Sequence, residues 1–323
     1  MSGPARRTAA KRDPVFVEGI LDALPTAENH GHAAVSRLGG VAVTPWRNDH
    51  LEALAAGCTA VPQWAQVAGS VQAVVRLRKG TSAVQLDLAG AWNAVVPGGR
   101  LVISGPNDLG PASWIKRIAA ELDAPPLATA IRDRSRSAAF RRDDRAAPAA
   151  WQVDPATSLF AGGTLDEGSA MLIASLEDLP ECRHILDIGA GAGHLASAAL
   201  VRWPAAKATL VEADATAVAV ASERTRTAAP GRASVHWWDV AEPLPVADVD
   251  LVVCNPPCHA GPANDLAIAR RMSEVAVSAL RPGGRLRLVA NRQLPYEAEL
   301  SKLGLLRQVR EDRRFKVLEV LVG

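Results

Sequence analysis

Two short segments of this chain carry residue types that can do chemistry together. One is Asn255-Pro256-Pro257-Cys258-His259, which closes the apolar run from Asp250 to Cys254. The other lies upstream, Leu186-Asp187-Ile188-Gly189-Ala190-Gly191-Ala192-Gly193. A dinucleotide fingerprint reads G-x-G-x-x-G, with glycines placed to let a pyrophosphate approach the backbone. Here Gly189, Gly191 and Gly193 are spaced G-x-G-x-G, His194 takes the place that pattern gives to glycine, and Asp187 stands two residues before the first glycine. S-adenosylmethionine has no pyrophosphate. It has a cationic amino-acid tail that a carboxylate holds directly or through water, and a nucleoside that glycine backbone can approach closely. The turn fits that molecule.

Further carboxylates extend the set. Glu212 closes the next expected strand, where it can accept from both ribose hydroxyls, as an acid does in nucleotide sites. Asp239 follows the third strand as an acceptor for the adenine amino group. Each acid taken alone also reads as a surface or capping residue. Upstream, the segment from Phe160 to Ser169 precedes the first strand of this half. Asp166 caps the helix that follows, or with Gly168 folds over the methionine end. One residue can do both.

An exocyclic amine on a purine or cytosine is a poor nucleophile, because its lone pair is delocalised into the ring. A site that alkylates it must accept hydrogen bonds from its N–H groups and draw the nitrogen toward tetrahedral geometry. Asn255 supplies a side-chain carbonyl, and the peptide carbonyl of Pro256 supplies a second, held because Pro256 and Pro257 both fix φ. No strongly perturbed general base is required, since in-line placement at about 3 Å supplies most of the acceleration. The bland alternative is a proline-rich turn that ends a strand.

These residues need elements to place them. The spacing predicts strands over His184–Ile188, Ala206–Val211, Ser234–Trp238, Asp250–Cys254 and Arg285–Ala290, with Ala-rich helices over Leu195–Arg202, Thr216–Thr227 and Asp265–Leu280. Short βα units with glycine at the turns argue for a doubly wound parallel sheet. Pro282-Gly283-Gly284 is expected to stop the long helix and launch the fifth strand. Leu305–Val309 and Arg314–Leu321 read as a terminal antiparallel pair. Trp237 reads as core, and Trp238 is open between core and a place beside the adenine.

The first half repeats the pattern more weakly. Val71–Leu77 reads as a strand and Thr81–Val96 as a helix. Pro97-Gly98-Gly99-Arg100 then mirrors Pro282-Gly283-Gly284-Arg285, an internal repeat of one helix–turn–strand unit. No glycine-rich turn and no Asn-Pro-Pro accompany it. The fold class is therefore α/β, two tandem doubly wound Rossmann-like domains of which the N-terminal one is degenerate. The boundary falls in the Ala-, Arg-, Asp- and Pro-rich stretch Asp123–Pro155, giving domains 1–145 and 146–323.

Composition bounds the rest. The chain has 323 residues, 48% of them hydrophobic, and a net charge of +2. No apolar stretch reaches the roughly 18 residues of a membrane helix. The N-terminus carries Arg6, Arg7, Lys11 and Arg12 without an apolar core, so it reads as a tail and not a secretory signal. Cys58, Cys182, Cys254 and Cys258 have no disulfide-framework or C-x-x-C spacing, and none completes a zinc set. No metal is expected, and reduced thiols fit a cytoplasmic protein. Residues 1–154 hold 18 Lys+Arg against 14 Asp+Glu, and residues 155–323 hold 18 against 20. The excess concentrates in Arg132, Arg134, Arg136, Arg141, Arg142 and Arg145, either a solvated interdomain segment or a strip that contacts phosphate.

Taken together the chain resembles the bacterial ribosomal RNA guanine-N2 methyltransferases of the small- and large-subunit type, tandem-domain proteins with a degenerate N-terminal domain. The resemblance is carried by Leu165-Asp166-x-Gly168-Ser169, the glycine turn, and Asn255-Pro256-Pro257 followed by His259 and Gly261. Val289-Ala290-Asn291, Leu294-Pro295-Tyr296 and Arg314-Phe315-Lys316-Val317 extend it, and Arg78-Lys79, Pro97-Gly98-Gly99 and the segment Gly105 to Gly110 match more loosely. It implies S-adenosylmethionine-dependent methylation of guanine N2 in ribosomal RNA or a ribosomal subunit. The base would be flipped between the Asn-Pro-Pro loop and the cofactor, with the N-terminal domain and the arginine-rich segment holding RNA, in a monomeric protein. The family's aromatic after the second proline is Cys258 here, which leaves Phe160 and His259 as candidates to stack on the base. A protein glutamine amide or a small molecule presents the same planar NH₂, and stands as the alternative acceptor.

Overall fold

The computed structural model describes residues 13–257 and 262–323, with the side chains of 262–267 left aside. Cys258, His259 and Gly261, like the four basic residues near the N-terminus, lie outside the described residues. Two compact units divide the chain, one reaching to Ser158 and the other spanning Leu159–Gly323.

In the second unit seven strands form one sheet: β8 (His184–Ile188), β9 (Lys207–Glu212), β10 (Ala233–Trp237), β11 (Val249–Cys254), β12 (Leu280–Asn291), β13 (Leu305–Glu311) and β14 (Phe315–Leu321), in the order β10-β9-β8-β11-β12-β14-β13. The first five are parallel, and β14 runs antiparallel to both β12 and β13. Central strands covered on both faces read as continuous apolar runs, not alternating ones. β11 does so because Leu251 and Val253 enter one core layer while Val252 and Cys254 enter the other. Each such side chain contributes about 1.5–3 kcal/mol by burial. A carboxylate in this layer is therefore an exception that chemistry must explain, and Asp187 is one.

The first unit has the same plan. Its strands are β1 (Thr26–Asn29), β2 (Gly40–Val43), β3 (Thr59–Val61), β4 (Ser70–Arg76), β5 (Val95–Pro106), β6 (Ala128–Arg132) and β7 (Ser135–Arg141), ordered β3-β2-β1-β4-β5-β7-β6. Strand for strand this is the order of the second sheet, so the repeat seen in one helix–turn–strand unit extends over the whole domain.

Three expectations change. The Pro-Gly-Gly segments lie inside β5 and β12, because Val95 already pairs with Ser70 and Leu280 with Val249 before the register shifts. Gly98 and Gly283 take φ of 83° and 76° at those irregularities, a conformation glycine adopts without strain. The arginine-rich stretch is not an interdomain segment: Arg132, Arg134, Arg136 and Arg141 belong to the β6–β7 hairpin, anchored by buried Ala138, Ala139 and Phe140, and Arg142 and Arg145 follow directly on it within the first unit. The first core also runs past residue 145, since Ala147 and Trp151 are buried in it and the Trp151 ring meets Trp92 edge-on at 5.7 Å.

Candidate active site

β8 lies between β9 and β11, with Ile188 opposite Val211 on one side and Cys254 on the other. The glycine turn, Glu212 and Asn255 therefore leave the sheet side by side at its carboxyl edge. Trp237 lies opposite Glu212, which brings Asp239 to the same edge. Strand order reverses at β8, and such a switch point is where open α/β sheets bind ligands.

Asp187 is fully buried. Its Oδ2 accepts from the backbone N–H of Ala196 at 3.0 Å, in the first turn of the helix His194–Arg202. Its Oδ1 is buried with no hydrogen-bond partner among the described residues. Burial pushes its carboxyl up to about 7, the Ala196 N–H pulls it down, and nearby Glu212 pushes it up again. An unsatisfied buried polar atom costs about 1–3 kcal/mol, so this oxygen fits a donor or cation brought by a ligand.

The turn itself is held from both sides. Gly189, Gly191 and Gly193 take φ of 69°, 53° and 78°. A Cβ on Gly193 would stand 3.1 Å from the Ala221 Cβ, whereas one on Gly191 would meet nothing within 4 Å. Gly193 is thus required by helix packing, and Gly191 faces open space from which a ligand can approach. Glu212 reaches back across the turn, its Oε2 accepting from Gly191 N at 2.8 Å and its Oε1 from Ala213 N and Asp214 N at 2.7 and 3.0 Å. Burial raises its pKa against the pull of those three N–H groups. Oε2 keeps a lone pair for a ligand hydroxyl.

On the other side, Asp166 caps the helix Glu167–Ser175 by accepting from Ser169 N at 3.0 Å. The same carboxylate meets the side-chain amide of Asn255, whose Nδ2 lies 3.4 and 3.3 Å from its two oxygens and 2.9 Å from Ser169 Oγ. Asp166 therefore both caps and contacts the Asn-Pro-Pro loop. Gly168 is tight, since a Cβ there would lie 3.1 Å from Asp166 Oδ1 and 3.3 Å from the Phe315 ring. Asn255 is half-buried, Pro256 buried and Pro257 exposed.

Asp239 stays within its own loop, accepting from Ala241 N at 2.9 Å, while its N–H donates to Glu242. Phe160 is 60% exposed and begins a short 3-10 turn that ends at Gly163. The two tryptophans resolve differently: the one expected in the core is not fully buried, and the one left open is. Trp238 is the core residue, its indole N–H satisfied by Pro243 O at 3.0 Å. Trp237 is half-buried at the strand end and donates to Ala213 O at 2.8 Å, beside Glu212.

Sequence reasoning missed the residues that tie these pieces together. His194 Nε2 and Arg224 Nη2 both reach Gly163 O, at 2.9 and 3.3 Å, and Arg224 Nε donates to Ala192 O at 2.8 Å. The segment leading to Asp166 is thereby pinned to the glycine turn. His194 stood out for not being glycine, but Arg224 sits inside a helix with no local signal. Arg314 pairs with Glu167, and Lys316 Nζ lies 2.6 Å from Glu297.

The first unit answers the same positions differently. Glu28 lies opposite Val74 as Asp187 lies opposite Val253, and its Oε2 accepts from Ala34 N at 2.6 Å. Its Oε1 is taken by the Arg76 guanidinium at 2.5 and 2.8 Å, with Asp13 at 2.7 Å on the same group. Thr44, bonded to His50 at 2.9 Å, holds the place of Glu212. The acid that a ligand would use is satisfied by the chain's own cation.

Among the described residues no helix is long and apolar enough to cross a membrane, and no group of three His, Cys, Asp or Glu is placed to hold a metal ion.

A doubly wound α/β domain that sets an acid, a glycine turn and a second acid at its switch point is the class that the fold and these residues define. The chain belongs to the methyltransferase small domain family, whose model matches residues 150–319. It is 39% identical over 168 residues to a ribosomal RNA small subunit methyltransferase C of Pseudomonas paraeruginosa, covering 51% of this chain and 49% of that protein. It is 35% identical over 174 residues to a ribosomal RNA large subunit methyltransferase G of Shewanella amazonensis, covering 53% and 45%. These matches span about half the length of the relatives. In fold the whole chain follows a T. thermophilus 16S rRNA N2 methyltransferase solved with AdoMet and guanosine, with a TM-score of 0.80 at 24% identity, over 100% of this chain and 92% of that one.

Proposed function

We propose that the second unit is an S-adenosylmethionine-dependent N-methyltransferase whose acceptor is an exocyclic amino group of an RNA base, guanine N2 of ribosomal RNA. The observation that carries this reading is that Asn255 commits its amide nitrogen to Asp166 and Ser169. Its carbonyl oxygen is thus left as the acceptor at the edge that also bears Asp187 and Glu212. The names of the relatives and of the structural neighbour support the choice of ribosomal RNA.

Asp187, through its unpartnered oxygen, would hold the cationic tail of the cofactor, the Gly189–Gly193 turn its nucleoside, and Glu212 a ribose hydroxyl. Asp239 and Gly168 would close the cofactor site at its two ends. When bound, the cofactor supplies an electrophilic methyl group on a sulfonium. Asn255 Oδ1 and the Pro256 carbonyl accept from the amine N–H groups, which localises the nitrogen lone pair. Oriented placement of this kind is worth several orders of magnitude in rate. Phe160, Cys258 and His259 are assigned to the base itself.

Tritium transfer from labelled S-adenosylmethionine to undermethylated ribosomal RNA or subunits, run beside a glutamine-bearing protein acceptor, tests the proposal. Label in RNA supports it. Label only in the protein, or in neither with the cofactor bound, overturns it.

A further inference from the structure

An asparagine amide is nearly isosteric about its flip, so a loop that relies on its oxygen needs something to keep the nitrogen away. Among the described residues the contacts of the Asn255 side chain run through Nδ2, to Ser169 Oγ at 2.9 Å and to both Asp166 oxygens at 3.3 and 3.4 Å. An ionised carboxylate only accepts, so it tolerates the NH₂ end and repels the C=O end. We infer that Asp166 and Ser169 are positioning residues that lock the Asn255 amide with its oxygen toward the acceptor, and so select an amino over an oxo substituent. The inference rests on the proposed reading of Asn255 and deepens it.

The lock is itself held. Asp166 is fixed as a helix cap by Ser169 N, and the turn before it is pinned through Gly163 O by His194 and Arg224. In the flipped state the NH₂ of Asn255 would face an amine N–H, donor against donor, and would instead welcome a carbonyl. A charge-assisted hydrogen bond biases such a flip by roughly ten- to hundredfold.

The test uses the full chain with Asp166→Asn and Ser169→Ala. Asparagine caps a helix as well as aspartate does, so a purely structural role leaves Asp166→Asn like the parent. The lock predicts that slow solvent exchange of the Asn255 side-chain amide, followed by ¹⁵N NMR and assigned with Asn255→Ser, speeds up about tenfold or more in both variants. It also predicts that kcat falls by a similar factor while S-adenosylmethionine affinity, read by calorimetry, stays within about threefold. Unchanged exchange in both variants, or a kcat loss matched by lost cofactor affinity, overturns it. The exchange measurement decides the lock even if the parent protein transfers no methyl group to RNA.

Discussion

Arg76 and Asn255 hold the same position in two sheets of identical strand order. Each follows by two residues the strand residue that faces the buried acid, Val74 opposite Glu28 and Val253 opposite Asp187. One turns a guanidinium onto its acid; the other leaves one oxygen of its acid without a partner among the described residues and turns an amide toward a helix cap. The difference between a closed unit and an open one is written largely at this pair of positions.

Asn255→Ala removes the proposed acceptor for the amine while leaving the glycine turn, Asp187 and Glu212 in place. Turnover is expected to fall at least about 100-fold, as on removal of a single transition-state hydrogen-bond partner. Calorimetric affinity for S-adenosylmethionine should be retained. Equal turnover in the variant would refute the assigned role.

Asp187 gives a pH signature. With its carboxyl pushed up from 3.8 to about 7 by burial, the folded state holds a proton between those values that the unfolded state has lost. Its contribution therefore lowers stability as pH rises through that window and levels off above it. A cationic ligand favours the ionised form, so binding below about pH 7 takes up the site with release of a proton. S-adenosylmethionine should bind about tenfold more weakly at pH 6 than at pH 8, and Asp187→Asn should flatten the profile. A pH-independent dissociation constant in the parent protein contradicts the assignment.

Two glycines separate strain from packing. Gly191→Ala meets open space and bears only the left-handed φ of 53°, a cost of about 1 kcal/mol. Gly193→Ala adds contacts at 3.1 and 3.2 Å with Ala221, bringing the loss to about 2–4 kcal/mol. Denaturant unfolding should rank them in that order, with the reverse order excluding this account of the turn.

Arg76→Ala strands the Glu28 carboxylate, which is fully buried. Breaking such a pair costs about 3–5 kcal/mol, whereas replacing both partners with apolar residues can be neutral. Hydrogen exchange across β1 and β4 should accelerate in Arg76→Ala and recover in Arg76→Met with Glu28→Leu. If the single and double variants match, the pair is not what closes this unit.

The second sheet was legible because β8 and β11 are mainly apolar runs closed by glycine or Asn-Pro-Pro, and β12 carries a Pro-Gly-Gly turn before Leu286, Leu288 and Val289. The first sheet was mostly not. Its β1, β2 and β3 have three or four residues each, and β1 carries Glu28 and Asn29, buried polar residues that break the apolar pattern. The β6–β7 hairpin was hidden by its arginines, of which Arg132, Arg134 and Arg141 are exposed, so that a stretch anchored by Ala138 and Phe140 had a linker-like composition. At the site, residue types and spacing named the acids, the turn and Asn255, but not their partners. The bond from Asp166 to Asn255 joins residues 89 apart in the chain, and Arg224 reaches Gly163 from 61 residues away. Such long-range contacts leave no local trace. The Trp237 reading failed, and Trp238 settled in the core, because alternation at the end of β10 gives way to the turn toward Pro243.

The most direct measurement digests ribosomal RNA to nucleosides after incubation with the full chain and methyl-labelled S-adenosylmethionine. The account predicts label co-eluting with N2-methylguanosine, present with the parent protein and lost with Asn255→Ala. Label on a ring nitrogen, carbon or ribose oxygen, or none at all from a protein that binds the cofactor, would contradict it.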